Sequence, residues 1–551
     1  MELPEIRPEE RTPVVEVLLV LVRQLADHNA EFERIIQELR DENAILKGLK
    51  PRPQIRPSIL NSETPPQSSG DATDEPGKGR KRGKPSRPKT SELTIHETLP
   101  LHMDAPPEGS KLKGFEPYVV QELIIRNQNT KYLRARYELP GGGSVLAPFP
   151  EGVLPVEGGH FGAGLITYIL DQYHQAHVTE PLLLEQLWEY GIDISSGQLH
   201  SILTDHKELF HQEKAEILAA GLAVSPYIAT DDTGARHQGK NGYCTVIGND
   251  LFAYFESTAS KSRLNFLHIL QGEQRDYAIN ETTVAYWKRQ ELAAALVAKL
   301  TEGPQEFAGE QAWQARLAEL AITNERHVRI ATEGALLGGL VARGISPDLG
   351  VLSDGALQFV IFVHAACWIH AERPLDRLVP HNDEHRAAID NIRGQIWELY
   401  QDLKAYREQP DEARRPVLEA RFDALVSQQT DYPSINGVLK EMRSHRADLL
   451  RVLERPEIPL HNNAMEGDIR EFVKRKKISG GTRSDAGRRC RDTFASLKKT
   501  CRKLGVCFLN YTRPAWKWHK LPLQLTGRRW QDCGEPGGSQ RRWLVTSPRE
   551  S

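Results

Sequence analysis

Two short apolar runs that each end on an acid limit the fold most narrowly. Pro226–Thr233 (PYIATDDT) reads as a strand over Tyr227–Ala229 leading into Asp231 and Asp232. Leu349–Ser353 reads as a short buried strand ending on Asp354, with Gly355 permitting a sharp turn. Gly242–Ile247 and Leu251–Phe255 follow the first run as strands around Gly248-Asn249-Asp250, a meander. Phe359–Trp368 (FVIFVHAACW) supplies another buried strand after the second run. Helical spacing lies between, at Arg263–Leu270 and at His327–Arg343 with Leu336, Leu337, Leu340 and Val341. Strands interleaved with such helices predict an α/β fold. Neighbouring side chains on a strand face opposite ways, so only one of the paired aspartates enters a site; Asp231 is taken as that one, and Asp232 as auxiliary. Acid pairs after strands are often only turn formers, so the motif gains weight only with a third acid.

That acid is Glu466, in His461–Ser484 (HNNAMEGDIREFVKRKKISGGTRS). The segment predicts a helix over about Asn463–Lys476, capped by Asn462, with Ala464, Met465, Ile469, Phe472 and Val473 on one face. Glu466, Arg470 and Lys474 fall at i, i+4 and i+8 and share another face. From Ile469 to Lys503 there are 13 Lys/Arg against 3 acids, in a chain whose formal net charge is −3. Concentrated cations beside an acid suit a site where a phosphodiester meets a metal ion. The same pattern also suits a solvated basic helix, and this segment alone does not separate the two. Taken together, Asp231, Asp354 and Glu466 fit a ribonuclease-H-like sheet holding two divalent ions, Mg²⁺ or Mn²⁺, through carboxylate oxygens.

The remaining chain supplies partners. At 551 residues it has room for about three or four units. Leu18, Leu25, Phe32, Leu39 and Leu46 recur every seven residues, with Val22, Asn29, Ile36 and Asn43 at the matching positions. This predicts a coiled coil over residues 1–50, and hence a homodimer or higher oligomer. Residues 51–94 read as a disordered basic linker in which Gly77–Thr90, with Lys81 and Arg82, carries seven cations and no acid. Within residues 95–215, Val119–Ile125 and Tyr132–Tyr137 read as strands and Phe161–Gln175 as a helix. Leu182–Tyr190, the Gly191-Ile192-Asp193 turn and a second helix capped at Ser195/Ser196 suit a helix-turn-helix offering Gln198, His200 and Ser201 to a DNA groove. Residues 273–324 and 374–459 read as helical insertions, and residues 511–551 carry no assignable pattern. Six scattered cysteines without a CxxC pair argue against a disulfide framework and predict no zinc site. No signal-peptide architecture and no membrane-length apolar run are present, which predicts a cytoplasmic protein.

DDTG at Asp231–Gly234, SDGALQF at Ser353–Phe359, CWIHAERPL at Cys367–Leu375 and NNAMEGDIREFVKRK at Asn462–Lys476 resemble the insertion-sequence-66 family of bacterial DDE transposases. The resemblance covers about residue 160 to Leu509 and implies a ribonuclease-H-like DDE catalytic domain over 216–510. It implies DNA cleavage and strand transfer at element ends with Mg²⁺, on double-stranded DNA, with accessory proteins of the same element as further partners. Asp231, Asp354 and Glu466 correspond to the catalytic, metal-binding acids. Cys367, Trp368, His370 and Arg373 match the signature after the second acid. Asn462, Asn463, Arg470, Arg475 and Lys476 match that around the third, and Arg470, Lys474, Arg475 and Lys476 are expected on DNA. Gly467 and Asp468 depart from the family's usual Arg and small residue, and residues 95–150 lack the cysteines of its zinc module. A metal nuclease of the same fold and a non-catalytic dimeric DNA-binding protein remain the competing readings.

Overall fold

The computed structural model describes residues 94–104, 106, 108–150 and 160–513. The predicted coiled coil, the basic segment with Lys81 and Arg82, and residues from 514 onward lie outside the described residues. The chain divides into two units, 1–121 and 122–551. Residues 94–121 of the first contain no helix or strand.

The second unit begins without the strand expected at Val119–Ile125; residues there are exposed and irregular, with no partner backbone to pair with. The strand expected at Tyr132–Tyr137 shrinks to a hairpin, β1 (Arg136–Glu138) and β2 (Ser144–Leu146), turned by the glycine triplet where Gly142 and Gly143 hold positive φ. Four helices follow: α1 (Ala163–His174), α2 (Glu180–Glu189), α3 (Ser196–Thr204) and α4 (Glu208–Val224). Gly191 turns the chain between α2 and α3 at φ +71°, and Ser195 with Gln198 closes a reciprocal cap on α3.

The central sheet then forms from β3 (Tyr227–His237), β4 (Lys240–Gly248) and β5 (Ala253–Thr258). After α5 (Arg263–Gln271) come a small hairpin of β6 (Asp276–Ala278) and β7 (Glu306–Ala308) around α6 (Glu281–Arg289) and α7 (Ala294–Thr301), then α8 (Gly309–Glu319) and α9 (Glu325–Ala342). The sheet resumes with β8 (Gly350–Ser353) and β9 (Val363–Ala366). Its order is β5-β4-β3-β8-β9, antiparallel among the first three and parallel from β3 through β9. The buried strand expected over Phe359–Trp368 is only four residues long, because Leu357–Phe359 make a 3₁₀ turn and a helix starts at Trp368.

The remaining helices are α10 (Trp368–Asp376), α11 (Asp383–Glu408), α12 (Arg415–Val426), α13 (Pro433–Ser444), α14 (Arg446–Leu449), α15 (Asn463–Ser479), α16 (Asp485–Lys503) and α17 (Phe508–Tyr511). Helices α10 to α14 enclose a core of their own around Leu399, Leu403, Phe422 and Leu439, as an inserted helical block should. The segment 273–324 behaves otherwise. Tyr277, Trp287 and Trp313 are buried in the main core, and Tyr277 stacks on Trp313 at 5.7 Å. Helix α9 closes on this segment through glycines: a Cβ on Gly338 would lie 2.1 Å from the Ala278 carbonyl oxygen. Its polar composition concealed the aromatic anchors that carry its burial.

Helix α16 covers the edge strand β5. Thr500, Ser496 and Asp492, four residues apart, accept from the amides of Ala253, Phe255 and Ser257, two residues apart, at 3.2, 2.9 and 2.9 Å. Four helical residues rise ~6 Å and two strand residues ~6.8 Å, so the two repeats match over this length. The open edge of the sheet is thereby satisfied.

Candidate active site

Alternation along the strands decides which acids meet. Tyr227, Ala229, Val246 and Leu352 point into the core beneath α15, whereas Ile228, Ile247 and Val351 point to the opposite core. By the same parity Asp231 and Asp354 fall on the α15 face and Asp232 on the other. Strand β3 continues through both aspartates, longer than the expected Tyr227–Ala229, because β4 pairs with it as far as His237. The parallel β3–β8 register pairs Ala229 with Leu352. Strand β8 ends one residue before Asp354, so this pairing brings the Asp354 turn alongside the Asp231 stretch of β3.

Glu466 reaches this point because α15 is fixed at its start. Asn462, 1% exposed, donates from Nδ2 to the Thr230 carbonyl at 2.8 Å, one residue before Asp231. Its backbone N–H meets Cys367 Sγ at 3.4 Å. Asn462 does stand at the helix N-cap, but its side chain makes no cap bond, because the sheet takes its amide instead. Met465, Ile469 and Phe472 pack onto Phe255, Leu352 and Ala365. Ala464, expected on that apolar face, is exposed, and Val473 is half-buried. Asn463 is the exposed first residue of the helix.

The site is acid-rich and half-buried. Burial pushes the Asp231 carboxyl up to about 6; the Asp232 amide at 2.8 Å opposes this, while the charges of Asp354, Asp232 and Glu466 add to it. Glu466 faces Arg470 at 3.2 Å and His370 and Arg373 at 3.6 Å, yet its Oε1 has no hydrogen-bond partner. Burial lowers the His370 pKa, aided by Arg373 and opposed by Glu466 and Asp354. Among the described residues no three His, Cys, Asp or Glu side chains already stand as a metal-ligating group. The carboxylates are thus neighbours rather than a closed shell. An all-oxygen donor set, mutual repulsion and the unpartnered Glu466 Oε1 fit a hard divalent cation such as Mg²⁺ or Mn²⁺.

Several supporting residues had no separate signal in the sequence. Gln358, within the SDGALQF motif, donates to Asp232 Oδ2 at 2.8 Å, and Lys261 stands 3.8 Å from Oδ1. Behind Asp354, Ser353 Oγ accepts from the Gly355 amide at 3.1 Å and meets His364 Nε2 at 2.9 Å, while His364 Nδ1 faces Asp448 at 3.1 Å. This buried chain shapes the turn that carries Asp354.

The predicted DNA-facing cations divide. Arg470 and Lys474 are exposed, and Lys476 donates to the Gly234 carbonyl at 2.7 Å. Arg475 is buried over the Tyr173 ring at 4.0 Å, on the side of α15 away from Glu466. Nine residues turn a helix by ~900°, half a turn beyond two. Lys498, Lys499 and Arg502 surround Glu471, and Lys499 and Lys503 hold Asp468. Much of the cationic run is therefore internal. Gln198 gives its amide oxygen to the α3 cap, and His200 Nδ1 lies 3.3 Å from Glu180. Both remain exposed on α3.

Comparison with known proteins supports the family resemblance, over a stretch that holds Glu466 but neither Asp231 nor Asp354. The profile of the Transposase IS66 family matches residues 358–489. An uncharacterized protein of Sinorhizobium fredii, y4jO, is 39% identical over 298 residues, 54% of this chain and 93% of that protein. No described helix is long and apolar enough to cross a membrane.

Proposed function

The chain belongs to the IS66 transposase family, and from that premise we propose that it cuts DNA at the ends of an insertion element and joins the freed 3′-hydroxyl strand to target DNA. The observation that carries this reading is the parallel pairing of β3 with β8 just ahead of Asp231 and Asp354, together with the Asn462 bond that starts α15, and so Glu466, beside Asp231. The strand order, three antiparallel strands followed by two parallel ones on the side of the first, supports a ribonuclease-H-like core.

In this reading Asp231, Asp354 and Glu466 hold two divalent ions. Such ions, when bound, activate the attacking hydroxyl and stabilise the departing oxygen of an in-line displacement. The chain's own residues set the geometry. Asn462 fixes the distance from the α15 start to β3, and the Ser353–His364 pair shapes the Asp354 turn. His370 and Arg373 restrain Glu466, while Gln358 and Lys261 hold Asp232. Exposed Arg470 and Lys474 beside Glu466 take phosphates of the bound strand. The α2–turn–α3 pair contacts duplex DNA, the N-terminal heptads join two chains, and the basic linker adds a non-specific phosphate grip.

The test is strand transfer by purified protein with Mg²⁺ or Mn²⁺ on labelled duplexes bearing element ends, including pre-cut ends with a free 3′-hydroxyl. Joined product that disappears in Asp354→Asn is the expected result. Cleavage without joining of pre-cut ends would make the protein a nuclease instead.

A further inference from the structure

A cavity of about 700 Å³ lies across α15 from the carboxylates, bounded by α1 to α3, α15, the Gly480–Ser484 loop and α16. Of its acids, Glu471 is matched by Lys498, Lys499 and Arg502 and Asp468 by Lys499 and Lys503, while Glu180 at the α2 side faces His200 at 3.3 Å. Arg475 differs. It is 8% exposed, forms no ion pair among the described residues, and leaves Nη2 buried without a hydrogen-bond partner. Among the described residues its guanidinium meets the Tyr173 ring at 4.0 Å and the Val178 carbonyl at 3.4 Å. Arg491, stacked over Phe472 at 4.5 Å, likewise leaves Nη1 buried and unpartnered. Arg483 stands exposed at the same cavity and forms no ion pair among the described residues. A buried guanidinium without a counter-anion is costly, and Arg475 is one; Arg491 is paired with Asp492 at 3.4 Å and donates to Ser257 Oγ at 2.9 Å, yet its free Nη1 at the same cavity joins Arg475 Nη2 in marking the place of an acceptor that the chain itself does not supply.

The surroundings agree on the sign of that acceptor. Burial lowers the His177 pKa to about 4, with Lys498 and Arg475 adding to the effect, and His174 is lowered in the same way. Both rings are kept neutral in a positive field. A guanidinium with its flat face on an aromatic ring and its edge free presents a planar fork suited to two oxygens of a phosphate. The volume exceeds that of a lone phosphate and leaves room for an attached nucleoside.

We propose that this cavity is a second ligand site that binds the phosphate of a nucleotide, free or at the end of a DNA strand, between Arg475, Arg491 and Arg483. The site is separate from the carboxylates, so its test is run in EDTA with the full chain. Calorimetric titration uses inorganic phosphate, a deoxynucleoside 5′-monophosphate, and single strands with either a 5′-phosphate or a 5′-hydroxyl. Phosphate and nucleotide are expected to bind, and Arg475→Gln to weaken both at least tenfold. Arg483→Gln, at the exposed rim where folding is not at stake, is expected to weaken them about threefold. Asp231→Asn is expected to bind as wild type does, which separates this site from the proposed metal centre. A 5′-phosphorylated strand that outcompetes the mononucleotide identifies a strand end as the source; equal or better binding by the mononucleotide identifies a free nucleotide. Absence of binding by both phosphate and mononucleotide at 10 mM-scale concentration (~10 mM, far above usual affinities) overturns the proposal. So does binding undiminished in both arginine variants.

Discussion

Helix α15 carries two glutamates five residues apart that live under opposite electrostatics. Glu471 is ringed by Lys498, Lys499 and Arg502, which outweigh its burial and hold its carboxyl down at about 2. Glu466 has Arg470, Arg373 and His370 at 3.2–3.6 Å, all at least partly open to solvent, and also faces the acids at the strand ends, where its charge helps push Asp231 up to about 6. One side of the helix thus neutralises its carboxylates internally, while the other gathers them and leaves an oxygen unpartnered. An arrangement that opposes folding marks the side with a job to do, and the neutralised side is a seam.

The largest effect expected from breaking this contrast is at Asp231. Asp231→Asn should abolish strand transfer, by a factor of at least ~10³, while making the metal-free fold more stable at neutral pH. Asn keeps the bond to the Asp232 amide and removes a charge that burial and its neighbours disfavour. A gain of about 1–2 kcal/mol in urea unfolding is expected. Lost stability would place Asp231 among ordinary structural groups.

On the seam the sign reverses. Glu471→Gln leaves Lys498 buried without its carboxylate and Lys499 with Asp468 alone, and should cost about 3–5 kcal/mol. The pH dependence follows. Because the folded pKa lies below the ordinary value of 4.5, the stabilisation is complete above that value and disappears as pH falls toward 2. Wild-type unfolding free energy should therefore drop across that window more steeply than that of Glu471→Gln. Parallel curves would remove Glu471 as the cause.

What the sequence revealed follows the same division. The two aspartate positions were legible because each sits where a short apolar run stops; parity said only that one of Asp231 and Asp232 enters a site, and the alternation of the folded strand puts Asp231 on the α15 face. The cations were not separable. Nothing along the chain distinguishes Arg470, which faces solvent, from Arg475, which faces Tyr173; only the rotation of α15 does. Long-range pairings such as Asn462 to Thr230 were equally hidden, since they depend on the folded placement of residues more than two hundred positions apart. The 273–324 segment was misread because five buried aromatic rings, Tyr277, Tyr286, Trp287, Phe307 and Trp313, outweigh many polar neighbours.

Asn462 tests whether the two sides are mechanically joined. Asn462→Ala frees the buried Thr230 carbonyl and should cost about 1–3 kcal/mol. Since that bond sets Glu466 against Asp231, strand transfer should fall by more than the loss of folded protein explains, read by activity well below the unfolding temperature. A loss matched by the unfolded fraction would reduce Asn462 to packing alone.

The smallest effect, and the finest probe, is Gln358→Ala. Gln358 follows Asp354 by four residues and reaches the carboxylate of Asp232, which faces away from the site. Its removal leaves Lys261, 3.8 Å away and half in solvent, as the polar neighbour of that carboxylate. Asp232 is only half-buried, so stability should change by less than ~1 kcal/mol. Asp232 freed from Gln358 adds its charge to the repulsion already felt by Asp231, and the loop after Asp354 loses a tether to β3. Both effects bear on how tightly the acids gather a divalent ion. Strand transfer is therefore expected to need several-fold more Mg²⁺ for half-maximal rate, with the rate at saturating Mg²⁺ nearly unchanged. A lowered maximal rate with the same Mg²⁺ requirement would instead assign Gln358 to the DNA, on the strand side of the acids.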